Sequence, residues 1–486
     1  MFQKIYHLFF TNRTMGQTVL KNTTWLGIGT LVSGLFKIVI VVYAARVLGA
    51  SGYGVFSYAL ALAGFLSLLP DMGINLMLTR ELSIRPELRT KYFSTVFFIR
   101  SALLILVYVI LALLLPHFIN IPEAIPLLSA MALMVVFDGF RSLGMTLVRA
   151  REQMEWEAGI NIFTSIAIVV ASVVAISYRA SPTTLAFSYA LGSGLGLIAT
   201  GYVVRDYIKE ILVNYTPQLT KRILSFVWPL AIINSLGAVL TYADSIFLGW
   251  MRTPTELGFY SAAQKPVQIF LAIPALLGIS LFPIFSRLVH RQDPKMKSIA
   301  EQSILLSLLI AIPLTTGLFF LRRPLVLLLY GQDYLGSVAV LGWLSFVIVI
   351  TFPAVIVSYI ILAHNMQRQF IIQSVIGALM IIGLGLYMIP RWGAVGAAMA
   401  AVASQGVTYG FIYYVVRQRL RLAITRALGK IVAATGLMGI SIVVLDRIGT
   451  HLYLTTALAI IVYLAALWLL REPWIERLKH TLLSSD

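Results

Sequence analysis

The sequence contains no cysteine and few charged residues for its length. Without cysteine, the chain can form neither disulfide bonds nor thiolate metal sites. Its six histidines form no i, i+4 pair, and the sequence also lacks a phosphate-cradling loop and a nucleophile elbow. Charged residues make up 12% of the chain, against about 25% in an average soluble domain. These absences argue against a metalloprotein, an ATP-driven pump and a soluble enzyme.

Apolar residues dominate instead, at 59% of the chain, and they occur in long runs. A membrane-spanning helix needs about 20 mostly apolar residues. We therefore predict an all-α membrane protein with about 14 transmembrane helices. The predicted spans are 24–46, 53–75, 93–115, 124–148, 157–177, 183–204, 223–250, 257–285, 298–321, 334–362, 369–389, 392–416, 427–446 and 452–470.

Positive charges alternate between the two sides of this predicted topology. One side holds 26 of the 37 lysines and arginines, and the other holds 7. Loops on the cytoplasmic side of a membrane carry the excess of positive charge, so both termini are predicted to be cytoplasmic and the protein to lie in the inner membrane. The same asymmetry accounts for most of the net charge of +18 without a nucleic-acid partner.

The first residues do not resemble a cleaved secretory signal, because Lys4 and His7 interrupt the apolar stretch and no small-residue cleavage site follows. Phe2, Ile5 and Phe9 could lie on one face of an amphipathic helix at the membrane surface. A disordered tail is the alternative interpretation of this segment.

Short sequence echoes indicate an internal repeat. Leu48–Ala59 is echoed by Leu248–Ala263, and Tyr202–Arg205 is echoed by Tyr414–Arg417, each at an offset of about 200 residues or six spans. An even number of spans predicts parallel repeats, here two six-helix lobes related by pseudo-twofold symmetry, plus two C-terminal helices. The predicted segments are a cytoplasmic N-terminal segment 1–23, an N-lobe 24–204, a linker 205–222, a C-lobe 223–417, helices 13 and 14 within 418–470, and a cytoplasmic tail 471–486.

Several glycine-rich segments, taken together and in order, resemble polysaccharide-export proteins. They are Arg46–Ser57, Asp71–Ile74, Leu325–Ser337 and Trp392–Ala398. The chain is similar to the oligosaccharide flippase branch of the multidrug/oligosaccharidyl-lipid/polysaccharide exporter superfamily. The resemblance implies two lobes in a V, a cavity between them that opens alternately to each side, and polyprenyl-diphosphate-linked sugars as substrates.

The resemblance predicts a flippase that translocates lipid-linked oligosaccharide from the cytoplasmic to the outer leaflet. A multidrug or cation antiporter of the same superfamily is the alternative. A membrane enzyme acting on the same sugars is disfavoured, because no predicted outer loop is long enough for a catalytic site. We expect no cofactor apart from a possible coupling ion, H+ or Na+, and we expect membrane lipids as surroundings and a monomer as the working unit.

Four basic residues inside predicted spans are the candidates for substrate binding. Lys37 and Lys265 lie deepest, and Arg100 and Arg141 lie in the inner parts of their spans. A charge near the centre of a membrane helix costs about 2.5–3.5 kcal/mol on insertion scales, so it calls for an explanation. Cations could hold a diphosphate by charge-assisted hydrogen bonds, but they could also extend to an interface or pair with a structural acid.

Acidic residues in the spans lie nearer the ends. Asp71 is predicted to act in gating or structure, Asp244 is a possible site for a coupling ion, and Asp138 is three residues before Arg141. Residues three apart share a helix face, so this last pair could neutralise itself. The spans of the second half also contain prolines that favour kinks, either for movement or as fixed shape, at Pro229, Pro274, Pro283, Pro313 and Pro353.

Overall fold

The computed structural model describes residues 15–84, 86–207, 214–422 and 425–470, and within these ranges it contains fifteen α-helices and no β-strand. The predicted N-terminal amphipathic helix and the tail 471–486 lie outside the described residues. The helices are α1 Met15–Leu66, α2 Ile74–Ile84, α3 Arg89–Val109, α4 Ile125–Ala150, α5 Met154–Tyr178, α6 Pro182–Val203, α7 Pro217–Met251, α8 Pro254–His290, α9 Lys295–Phe320, α10 Arg322–Tyr330, α11 Ser337–Leu344, α12 Phe346–Ala363, α13 Gln367–Leu420, α14 Thr425–Ile448 and α15 Leu452–Leu469.

Two of these helices are too long to be single membrane spans. Twelve segments of the described chain are long and apolar enough to cross a membrane, and those within α1 and α13 have 51 and 53 residues. A straight helix of 51 residues would measure about 77 Å, more than twice the hydrocarbon core of a bilayer. Each long helix breaks at a glycine with positive φ, Gly49 (φ 68°) and Gly393 (φ 56°). When α1 and α13 are divided at these glycines, each provides two spans. The twelve segments then give fourteen spans, in agreement with the predicted number of about fourteen.

The second predicted span is shorter than expected, since α1 ends at Leu66 rather than near residue 75. A turn follows, in which Met72 and Gly73 have φ values of 41° and 82°. Pro70 disfavours continuation of the helix, because it has no backbone N–H to donate. The chain then forms α2, a separate short helix that the sequence analysis did not predict.

The predicted tenth span, 334–362, corresponds to one segment of 27 residues, Ser337–Ala363, that is long and apolar enough to cross a membrane. It contains α11 and α12, and Ser345 between them keeps helical backbone angles (φ −57°, ψ −33°). The segment before this span is not simply a turn, because it contains the nine-residue helix α10 before Gly331, whose φ is 88°. The glycine-rich motif around residues 325–337 therefore joins the short helix α10 to this span.

The chain divides into two compact units, Met1–Gly258 (unit 1) and Phe259–Asp486 (unit 2). In unit 1, Leu78 and Leu82 of α2 pack with Tyr92 and Phe93 of α3 in a buried apolar cluster. Unit 2 contains one cluster around α9, α12 and α13 and another around α14 and α15. The division by compactness falls at residue 258, whereas the six-plus-six lobe division with its linker at 205–222 stays a prediction.

Two glycines allow a close backbone contact inside unit 1. A Cβ atom on Gly54 would overlap the carbonyl of Pro254, and a Cβ atom on Gly258 would overlap the carbonyl of Ala50. Each glycine contacts the backbone of the segment that carries the other glycine. The two segments are about 200 residues apart in the chain, like the sequence echoes. Only glycine lets backbones approach this closely, which explains why both echoed segments carry it.

Candidate functional site

Arg100 of α3 lies inside a polar network within unit 1. Its side chain is buried, and the residue is only 2% exposed. Nη1 donates a hydrogen bond to Asn75 Oδ1 of α2 (2.6 Å), and Nη2 donates to Ser142 Oγ of α4 (2.8 Å). A buried cation has to be paired or hydrogen-bonded, and these contacts meet most of that need. Arg100 thereby links three helices, and in this structure it is not presented to a ligand.

Asp71 completes the network from the turn before α2. One carboxylate oxygen lies 3.9 Å from Arg100 Nη1, and the Asp71 side chain is 32% exposed. The same oxygen accepts a hydrogen bond from the backbone N–H of Asn75 (3.4 Å), near the start of α2. Asp71 therefore couples the end of α1 to the beginning of α2 and to α3. This position agrees with a structural role, while its gating role stays a prediction.

Arg141 forms the ion pair that its spacing from Asp138 predicts. Arg141 Nη2 lies 3.0 Å from Asp138 Oδ1, and Arg141 Nη1 donates to Asn161 Oδ1 of α5 at 2.6 Å. The two charged side chains are 19% and 39% exposed, respectively. Arg141 thus connects α4 with α5, and its charge is already opposed by a carboxylate. A substrate phosphate would have to compete with Asp138 for the guanidinium.

Lys37 lies on an exposed side of α1 that carries both polar and apolar side chains, with Val19 and Leu26 among the apolar ones. Thr23, Thr30 and Lys37 are exposed and seven residues apart, which puts them on one helix face. The other exposed side of α1 is apolar and includes Leu35 and Val39, as expected for contact with lipid. No carboxylate of the described residues forms a salt bridge with Lys37. The position is about 18 Å from the break at Gly49, near mid-depth of a bilayer.

Lys265 lies in unit 2, on the part of α8 that follows the unit boundary. It is partly exposed, and its Nζ donates a hydrogen bond to Gln268 Oε1 one turn further along (3.3 Å). The residue is eleven positions from the start of α8, or about 17 Å along the helix. Both deep lysines are therefore at a similar distance from a helix end or break, each within its own unit.

Asp244 of α7 is buried in unit 1. One of its carboxylate oxygens accepts a hydrogen bond from the backbone N–H of Ser245 at 2.6 Å. Burial of a carboxylate is costly unless the group is compensated by hydrogen bonds, a cation or a proton. The role of Asp244 in binding a coupling ion stays a prediction. No group of three or more His, Asp and Glu side chains among the described residues is placed to hold a metal ion.

Further ion pairs at the cytoplasm-assigned end of unit 1 were missed by the sequence analysis. Lys21 of α1 is buried and lies 2.9 Å from Glu155 of α5, while Arg149 of α4 forms two hydrogen bonds to Glu157 (2.5 and 2.8 Å). In the sequence, Lys21 and Arg149 contribute only to the charge asymmetry that indicates topology. Their partners come from other helices, so a spacing rule within one helix could not find them.

Comparison with known proteins places the chain in a family. Residues 19–289 match the profile of the family described as Polysaccharide biosynthesis protein, which covers more than half of the chain. The chain therefore belongs to this family of multi-pass membrane proteins.

Relatives and solved structures agree with that assignment. A Shigella flexneri protein to which O-antigen transport is ascribed is 25% identical over 334 residues, covering 65% of this chain and 78% of that protein. The succinoglycan biosynthesis transport protein ExoT of Rhizobium meliloti is 25% identical over 342 residues, 68% of this chain and 66% of ExoT. The fold is similar to that of the lipid II flippase MurJ in an inward closed conformation, with a TM-score of 0.76 and 18% identity over 92% of this chain and 99% of that one. It is also similar to a multidrug resistance MATE family transporter in an inward-facing conformation, with a TM-score of 0.67 and 14% identity over 82% of this chain and 98% of that one.

Proposed function

We propose that the protein is a flippase that moves polyprenyl-diphosphate-linked oligosaccharide from the cytoplasmic to the outer leaflet of the inner membrane by alternating access. Membership of the polysaccharide biosynthesis family carries this proposal. The transport roles of the O-antigen and succinoglycan relatives support it, and so does the fold shared with a lipid II flippase. We further propose that it works as a monomer and catalyses no chemical reaction.

Recognition of the headgroup is assigned to Lys37 first. Of the basic residues predicted to bind substrate, Arg100 is occupied by Asn75 and Ser142, and Arg141 is occupied by Asp138. Lys37 is exposed at mid-depth of the membrane, on the same face of α1 as Thr23 and Thr30, where an ammonium group could form charge-assisted hydrogen bonds with a diphosphate. Lys265 is proposed as a second contact, with the amide of Gln268 as a neighbouring donor for phosphate or sugar oxygens.

An apolar groove in unit 2 supports the proposal that the substrate is linked to a lipid. It has a volume of about 470 Å³ and lies between α9 and α14, with small residues such as Thr435, Gly436 and Gly439 along its floor. α14 and α15 are the two helices that follow the predicted six-plus-six repeat. A polyprenyl tail stays in hydrocarbon while its headgroup crosses, so an apolar groove beside the transport helices would suit it.

The alternative function is a drug or cation antiporter, whose substrate would call for an available carboxylate at mid-depth. Among the described residues, Asp138 is paired with Arg141, and Asp71 lies near Arg100. Cations at mid-depth would repel a cationic drug more strongly in a low-dielectric site than in water. This arrangement favours an anionic substrate. A coupling H+ or Na+ would bind at a carboxylate, and the buried Asp244 is the candidate.

Translocation by the purified protein in liposomes tests the function. We expect a fluorescent polyprenyl-diphosphate sugar to cross, and Lys37→Ala to slow this by about tenfold or more, since a hydrogen bond to a charged group contributes roughly 1.5–3 kcal/mol. Lys37→Arg should retain most of the activity, and Lys221→Ala, an exposed lysine near the start of α7, serves as control. Efflux of cationic dyes without movement of the sugar lipid would replace the flippase proposal by the antiporter. Normal transport in Lys37→Ala would remove the headgroup role alone.

The proposed orientation can be tested because the chain has no cysteine. A single cysteine at Thr253, between α7 and α8, should react with an impermeant thiol reagent on intact cells. A cysteine at Gln292, between α8 and α9, should react only after lysis. The opposite pattern would reverse the proposed orientation and with it the cytoplasmic position of both termini.

A further inference from the structure

A second cavity in unit 2 differs in character from the groove between α9 and α14. It has a volume of about 480 Å³ and lies among α9, α12, α13 and the first turn of α14. Pro353 of α12 lines it, and Gly410 of α13 leaves its wall without a side chain. This volume is in the range of sites that bind small molecules.

The cavity is apolar in its depth and basic at its mouth. Ile304 and Leu308 of α9 line the deep part, while Arg417 lies in the last turn of α13. Tyr409, Tyr413 and Arg417 are four residues apart, so all three share one face of α13. Arg417 is exposed, and no carboxylate of the described chain forms a salt bridge with it.

The depth of the cavity matches one leaflet. Arg417 lies near the end of α13, and Val349 of α12 lines the cavity fourteen residues before α12 ends at Ala363. Fourteen helical residues span about 21 Å, which matches half of a bilayer of about 40–45 Å that includes the headgroup regions. Both helix ends belong to the side that the charge asymmetry assigns to the cytoplasm. The mouth would therefore lie at headgroup level and the apolar part at acyl-chain level.

We infer that this cavity binds an anionic phospholipid of that leaflet, with one acyl chain in the apolar part and the phosphate at Arg417. Charge complementarity selects this occupant, because basic pockets between membrane helices at the cytoplasmic side suit anionic headgroups. Tyrosines are favourable at this level, since an apolar ring and a polar hydroxyl suit the interface. Such a lipid would fill the space beside Pro353 and support the packing of α14 against α9.

Native mass spectrometry of the full-length protein with added phosphatidylglycerol tests the site, with phosphatidylcholine of the same acyl chains as reference. Gly410→Leu should remove the tightest-bound lipid, because a Cβ atom there meets no neighbouring atom and a longer side chain can extend into the cavity. Gly406→Leu is the matched control on the same helix, where a Cβ atom is equally unobstructed but the residue does not line the cavity. Arg417→Gln should reduce the preference for phosphatidylglycerol by roughly fivefold, and Arg419→Gln should leave it unchanged.

A second readout separates this lipid from the transported substrate. Added phosphatidylglycerol should raise the melting temperature of the wild type and of Gly406→Leu, but not that of Gly410→Leu, since a ligand stabilises only a state that binds it. Binding of a polyprenyl diphosphate should be normal in Gly410→Leu. Unchanged phosphatidylglycerol binding in both Gly410→Leu and Arg417→Gln would overturn the inference. Loss of polyprenyl diphosphate binding in Gly410→Leu would overturn it too, because the cavity would then hold the substrate tail.

Discussion

Unit 1 joins its helices through buried charges, whereas the ion pair found among the described residues of unit 2, Lys297–Glu301, lies within one turn of α9. In unit 1, the Lys21–Glu155 and Arg149–Glu157 pairs each connect two helices, and Arg100 connects three. Such contacts have directional geometry and are costly to break in an apolar setting. They fix the relative positions of the helices that they join.

Among the described residues, the helices of unit 2 contain more internal prolines than the helices of unit 1. A proline in a helix interior removes one backbone hydrogen bond and favours a bend at that point. Unit 1 has Pro229 inside α7, whereas the helices of unit 2 contain Pro266, Pro274, Pro283, Pro313, Pro353 and Pro390. The difference suggests a division of roles, in which polar networks hold unit 1 rigid and the helices of unit 2 bend more easily.

The largest effect is expected from removal of the Arg100 side chain. Arg100→Ala removes the buried cation that links Asn75 and Ser142 to Asp71. Asn75 keeps its contacts with Ser142 and Thr146, but we expect unfolding to become easier by about 3 kcal/mol. Arg322 in unit 2 is the matched comparison, since it donates to the carbonyl of Phe319 and lies over its ring at 4.3 Å. Arg322→Ala should cost about 1 kcal/mol or less. Thermal unfolding in detergent measures both, and equal losses would contradict the contrast between the units.

The two breaks in the long helices should respond alike, although they lie in different units. Gly49→Ala forces a side chain onto a backbone with φ 68° and ψ 176°, and Gly393→Ala onto φ 56° and ψ −133°. Both regions are adopted almost only by glycine, so each substitution should cost roughly 1–3 kcal/mol. Gly27→Ala, at an unstrained helical position of α1 with no atom near the new Cβ, is the control. If Gly393→Ala were tolerated and Gly49→Ala were not, unit 2 would be able to relax strain that unit 1 cannot.

The sequence was sufficient for features that depend on one segment at a time. Apolar runs predicted the spans, because each needs about 20 residues to cross a bilayer. The three-residue spacing of Asp138 and Arg141 predicted their ion pair, which the structure contains. The prolines predicted inside spans do lie inside helices, and Pro266 and Pro390 are additional cases.

Features that depend on contacts between distant segments were not predictable in this way. The short helix α2 has only eleven residues, too few for a span, and its buried face is defined by α3 and α4. Asn75 and Ser142 become partners of Arg100 only after three helices have packed. The spacing of asparagine and serine along the chain does not predict such contacts. Uncharged polar side chains are common in membrane helices both as surface groups and as interhelical contacts.

The smallest expected effect on stability, and the sharpest decision about the site, concerns Asp138 and Arg141. An ion pair one turn apart and partly exposed contributes about 1 kcal/mol or less, so Asp138→Asn, Arg141→Gln and the double variant should melt close to the wild type. Arg252 and Glu256, an exposed pair at 3.0 Å near the start of α8, provide the control cycle with Arg252→Gln and Glu256→Gln.

The same variants also test whether Arg141 binds the substrate. Since Asp138 and Asn161 already occupy the guanidinium of Arg141, we expect the double variant to keep transport even if either single variant is impaired. The structural role of the pair would then account for the charges within this predicted span. Transport could instead be abolished both in the single variant Arg141→Gln and in the double variant that also carries Asp138→Asn. In that case the guanidinium of Arg141 acts on the substrate itself. Unit 1 would then contribute two cations to the headgroup, and its polar networks would do more than hold helices in place.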